Sequence, residues 1–136
     1  EDEPTVNRIN YKAAIDLAYI LQLMGEKERA GLLLDRSLKI IQGGIRRYNY
    51  DGYWIADVEI YALQGEKQLA LKALRQAIDE GWRTSWRYYL EHDPNLESIR
   101  NEPEFQAMLA EIKVDMAEQL ARVKAMEKEG DVCVNP

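Results

Sequence analysis

The sequence predicts an all-α chain of antiparallel helix pairs, and three observations carry that prediction. Apolar residues recur at the three-and-four spacing of a helix face over most of the 136 residues, and strand-like alternation is absent. The stretch LMGEKERAGLLL at 23–34 returns forty residues later as LQGEKQLALKAL at 63–74. Across the wider windows Ile20–Leu38 and Ile60–Ile78, seven of nineteen positions are identical, so a structural unit is repeated.

The elements follow in order. After a leading segment, 1–10, apolar residues at 11, 14, 15, 17, 18, 21 and 24 predict a first helix, which Gly25 stops because glycine enters the left-handed conformation at little cost. This helix is apolar nearly all round and so expects neighbours on more than one side. Ala30, Leu33, Leu34, Leu38 and Ile41 stripe a second helix that runs to Gly43 and Gly44. Repeat one is therefore 11–42, an inserted loop 43–52, and repeat two 53–81. In the second repeat Trp54, Val58 and Tyr61 stripe the first helix, Gly65 stops it, and Ala70, Leu74, Ala77 and Ile78 stripe the second.

Two repeats alone rarely bury enough surface to fold, so residues 82–128 are expected to complete the stack as a divergent third unit. They predict a short aromatic helix at 85–91 and a one-turn piece with Asp93 as N-cap and Pro94 in its first turn. A long helix follows, with Asn101 as its cap and Glu104 closing a capping box. Residues 129–136 read as a tail that holds the only cysteine, Cys133. The whole, 1–136, is one domain, and its opening EDEP without an initiator Met reads as a piece of a longer protein. The compartment, cytoplasmic or periplasmic, then depends on what lies upstream of Glu1.

Composition narrows the function. The formal charge is −6, with thirteen acids and thirteen bases in residues 1–90 and eleven acids against five bases in 91–136. That balance argues against a phosphate-binding surface, since nucleic-acid affinity needs clustered Lys and Arg. The one histidine, His92, has no second histidine or patterned nucleophile beside it, and one Cys with one His makes no zinc pattern. Gly-Glu-Lys lacks the other residues of a phosphate loop. No enzyme, metal or cofactor is predicted, and no apolar run is long enough to span a bilayer.

With Gly25 and Gly65 set as turn glycines, Leu17, Ala18, Leu21, Ala30, Leu34 and Ser37 fall at matched places with Trp54, Val58, Tyr61, Ala70, Leu74 and Ala77. Over Tyr11–Trp82 this pattern resembles the tetratricopeptide repeat, an α-α superhelix that binds proteins. The period departs from that family, at forty rather than thirty-four, and Gln42 and Trp82 stand where its proline belongs. The resemblance implies a concave groove lined by Lys12, Ile15, Tyr19, Gln22 and Leu23 of the first repeat and Gly52, Ile55, Glu59, Ala62 and Leu63 of the second. It also implies that the family's clamp for a terminal carboxylate is absent, so the groove should prefer an amphipathic helix or a segment with a basic residue near Glu59. Residues 81–105, with their G-W-R-x-x-W-R-Y-Y and D-P-N-L runs, are similar to the ends of bacterial regulators, which implies an interaction or sensory module of a signalling protein.

Two further surfaces are ambiguous in sequence. IRRYNYDGYW, residues 45–54, could hold a ring-bearing small molecule or an acidic partner through Arg46, Arg47 and its aromatics, or simply pack them under the insertion. Along the long helix, Phe105 to Ile112 should cap the stack, while Met116, Leu120 and Val123 either extend that cap or pair with a second chain.

Overall fold

The structure, a computed structural model, describes residues 5–48 and 52–130. It is all-helical, with no strand among the described residues. Helices α1 (Tyr11–Leu23), α2 (Lys27–Gln42), α3 (Ala56–Leu63) and α4 (Lys67–Asp79) form two antiparallel pairs. A π-helical turn (Tyr88–His92), a 3-10 turn (Pro94–Leu96), the single-turn α5 (Glu97–Arg100) and the long α6 (Pro103–Glu129) complete the chain.

The repeated sequence makes a repeated turn. Gly25 and Gly65 take φ values of 82° and 77°, which any side chain would strain. In both turns the glycine N–H donates to a carbonyl three residues back at 3.1 Å, and the next N–H donates five residues back at 2.9 Å, from Glu26 to Leu21 and from Glu66 to Tyr61. This pattern satisfies the last carbonyls of α1 and α3 and reverses the chain. Ala18, Ala30, Ala70 and Ala77 are fully buried between the paired helices, where their small size allows close crossing.

Helix α3 is the shared wall of two cores. Val58 and Ala62 face a core completed by Leu74, Trp82, Leu96, Phe105 and Ile112, while Ala56 and Ile60 face the core of Ala18, Leu21, Leu34 and Ile41. A helix buried on both faces needs apolar residues all round, which explains the run from Ile55 to Leu63. Helix α1, equally apolar, is covered on one side only: Leu17, Ile20, Leu23 and Met24 face outward and are exposed.

Several boundaries differ from the sequence expectation. Helix α3 begins at Ala56, and Trp54 lies outside it, because its backbone takes the left-handed φ of 48°. The helix expected at 85–91 starts at Trp86, after a left-handed Ser85, and widens into the π turn, whose Asp93 N–H donates to the Tyr88 carbonyl at 2.9 Å. Pro94 forces Asp93 out of the helical region, so the turn must end there. Asp93 does cap the next turn, accepting the Asn95 N–H at 3.0 Å. Asn101, by contrast, is not the cap of α6: the helix starts at Pro103 after Glu102, with no side-chain cap, because proline at the first position needs no donor partner. Cys133 falls outside the described residues.

Phe105, Met108, Leu109 and Ile112 seat the first half of α6, and Arg83 pairs with Asp115 at 2.8 Å near the end of that contact. Beyond half-buried Met116 the helix projects, with Leu120 and Val123 exposed. No described helix is long and apolar enough to cross a membrane.

Candidate functional site

The inner positions of α1 and α3 do not line one open groove. Ile15 and Ile55 are each 1% exposed and belong to the two cores, which corrects their expected role as partner contacts. Gly52 and Ala62 are buried as well. A Cβ on Gly52 would stand 2.3 Å from the Arg47 carbonyl oxygen, so the loop closes there only through glycine. Lys12 donates to the Gly52 carbonyl at 2.8 Å with its ammonium 4.4 Å from the centre of the Trp54 ring, and Gln22 donates to the Leu63 carbonyl at 2.7 Å. Both polar side chains therefore stitch α1 to the second unit. Tyr19 and Leu63 are half-buried, and Leu23 is the one apolar member of the set that stands well exposed, at 70%.

The insertion divides its two arginines. Arg46 is exposed, whereas Arg47 is buried and binds both carboxylate oxygens of Asp57 at 3.0 and 2.9 Å. It also donates to the Trp54 carbonyl at 2.5 Å, stands 4.8 Å from the centre of the Tyr53 ring, and pairs with Glu80 at 3.3 Å. Its guanidinium is spent inside the chain, which corrects the expectation that it grips a ligand or partner. Burial holds the Asp57 carboxyl above its ordinary pKa even with Arg47 beside it. Tyr48 donates to the Ala77 carbonyl at 2.7 Å, and Asn49, Tyr50 and Asp51 lie outside the described residues.

Glu59 on α3 keeps company that the sequence did not announce. The side-chain amide of Asn95 donates to Asp16 on α1 at 2.9 Å and to Glu59 at 2.8 Å, while its backbone N–H donates to Asp93. One asparagine thus draws three carboxyl groups together from three parts of the chain. They border a small cavity of about 110 Å³ walled by Tyr53, Trp54, Tyr88 and Tyr89, with Lys12 on its rim. Asp93 is 2% exposed, and its carboxylate shares a hydrogen bond with the Glu59 carboxyl group.

The electrostatics follow from burial and like charge. Glu59 is raised well above the usual carboxylate range by burial first, then by Asp93 and Asp16. Asp93 is raised too, chiefly by burial. Burial pushes Tyr89 up to about 12, so it is a neutral phenol here. The arrangement favours whatever brings positive charge and hydrogen-bond donors to these oxygens. No cluster of three His, Cys, Asp or Glu among the described residues could hold a metal ion, and His92 is exposed.

A second, wider groove of about 820 Å³ runs between the π turn and α6, bordered by Trp86, Arg87, Glu91, Lys113, Met116 and Leu120. Its sequence signal was the apolar stripe of α6; the Trp86 side was not foreseen. No family model matches the chain, and neither a curated protein nor a solved structure matches it.

Proposed function

We propose that the chain is a protein-interaction module, a short solenoid of the tetratricopeptide type that serves a larger signalling protein, and that its principal docking surface is the outer face of α1. The observation that carries this reading is the unburied row Leu17, Ile20, Leu23 and Met24, exposed by 40 to 70% on a well-formed helix. Residues at this spacing share one helix face, and contiguous exposed apolar surface of this kind marks association sites in monomeric domains. The solenoid assignment is supported by the two identical glycine turns forty residues apart and by the burial of α3 between neighbouring pairs. Against a small-molecule sensor in the insertion stands the use of Arg47 on Asp57 and Glu80.

The reading is tested by replacing Ile20 and Leu23 together with glutamate. Both side chains are outside the cores, so helicity and melting temperature should hold while partner capture falls at least about ten-fold, a loss of roughly 1.4 kcal/mol. Capture that survives the double change, or that disappears with Arg46→Ala alone, would contradict the α1 face as the docking surface.

A further inference from the structure

We propose that the partner docked on α1 is an antiparallel helix pair of another protein, seated on Ile20 and Leu23 as α1 and α2 seat on Ile60 and Leu63 of α3. This rests on the reading of α1 as the docking surface and names what covers it.

The forty-residue repeat matches α1 to α3 position by position. Both helices turn the same places toward their own second helix: Ile15, Ala18 and Leu21 join the core with α2, and Ile55, Val58 and Tyr61 the core with α4. Helix α3 has a second apolar face. Ala56, Ile60 and Leu63, with Tyr53 just before the helix, lie against the core of the preceding pair, and Ile60 is wholly buried there. The matched places on α1 are Ala13, Asp16, Ile20 and Leu23, and every one of them is exposed. Two of the four are the same residue in both repeats, so α1 carries the face with which α3 packs on a helix pair, without the pair. A hydrogen bond repeats the pattern. The Leu63 carbonyl accepts the Gln22 side-chain amide at 2.7 Å, whereas the Leu23 carbonyl accepts nothing from the described residues.

The chain's own pairs do not supply the occupant. In a second copy the seam of α1 and α2 is filled by α3, and that of α3 and α4 by Leu96 and Ile99. A pair joined to α1 as α2 is joined to α3 does not fit either. That link closes through Gly52, where a Cβ would stand 2.3 Å from the Arg47 carbonyl oxygen, and the matched residue is Lys12. The occupant therefore comes from a different chain.

The differences between the two faces specify the pair. Gln64 donates to Asp35 on α2 at 3.1 Å, but its match is Met24, 66% exposed, so the partner offers an apolar residue where α2 offers Asp35. Asp16 replaces Ala56 and adds a carboxylate, which a Lys or Arg of the partner meets. At the Leu23 carbonyl the partner places a side-chain amide, as Gln22 does for Leu63.

A tethered probe on the full chain tests this. Residues 11–44, with Asp35→Leu to suit Met24, are attached ahead of the N-terminus through a flexible Gly-Ser linker of about 20 residues, which holds the added pair near α1 at roughly millimolar effective concentration. Ile20→Cys, Leu23→Cys and, as a control on α4, Lys72→Cys are made one at a time in the recipient chain with Cys133→Ser, and thiol-labelling rates are compared with and without the tether. The added pair should slow labelling at positions 20 and 23 at least about ten-fold and leave position 72 unchanged, whereas a tethered copy of 27–42 alone should protect neither. Gln22→Ala within the added pair should weaken the protection about five-fold, because the Leu23 carbonyl loses its donor. No slowing by the pair, equal slowing by the lone helix, or protection indifferent to Gln22→Ala would overturn the helix pair as partner. The docking face itself stands or falls on the glutamate exchange at Ile20 and Leu23, so the two failures are told apart.

Discussion

Arg47 and Glu59 illustrate how differently two charged residues can serve the same fold. The first is a paired charge: its fork is matched to Asp57, and the side chain is nearly sealed from water. Arg47→Ala should cost about 3–5 kcal/mol in denaturant unfolding, because it leaves Asp57 buried without its cation. A loss below 1 kcal/mol would show that water reaches the pair. The second is a charge held back by its surroundings. Since the native state keeps the Glu59 proton more tightly than the unfolded chain does, this residue stabilises the fold at low pH, and that contribution is lost as pH rises from the ordinary carboxylate range through the raised native value. Asp57 is shifted in the same direction, so the diagnostic quantity is the difference between the protein and Glu59→Gln. The variant should gain relative stability as pH rises, and a pH-independent difference would mean that Glu59 is ionised in the native protein.

At the level of helices, the repeat register makes its own prediction. Ala70 has no exposed surface and sits where α4 crosses α3, so Ala70→Leu should destabilise by about 1–3 kcal/mol through overpacking, read from thermal melts. The projecting half of α6 makes another. Leu120 is 54% exposed and continues the stripe of Met116 and Val123, which suits a helix of a second chain. If the unmodified protein is a dimer by light scattering, Leu120→Glu should return it to a monomer with its helicity intact. A monomer at every concentration would remove that role from the stripe. Helix identity was legible because glycine turns and helical spacing are local signals. Starts were less so: Trp54 looked like a stripe residue, and nothing in its neighbours reveals a left-handed backbone. Asn101 met the capping pattern, yet Pro103 set the start of α6.

Across the whole molecule, the site was the least legible part. Glu59 could be placed on an inner face from its register, but its partners come from 43 residues earlier and 34 to 36 residues later in the chain, at Asp16, Asp93 and Asn95. No spacing rule connects such positions, because the irregular path of residues 82–96 decides where Asn95 arrives. The same path closes the predicted groove at Ile55, whose core includes Trp82, Trp86, Leu90 and Leu96, while Ile15 is buried in the core that α1 and α2 share with α3. The apolar face left exposed on α1 is where we propose that a protein docks. Site-specific photo-crosslinking tests it most directly, with a benzophenone side chain placed in turn at Ile20, Leu23, Arg46 and, as an exposed control on α4, Lys72. Docking on α1 should give covalent adducts to another protein from positions 20 and 23 and none from 46 or 72. Adducts from position 46 with none from α1 would contradict it.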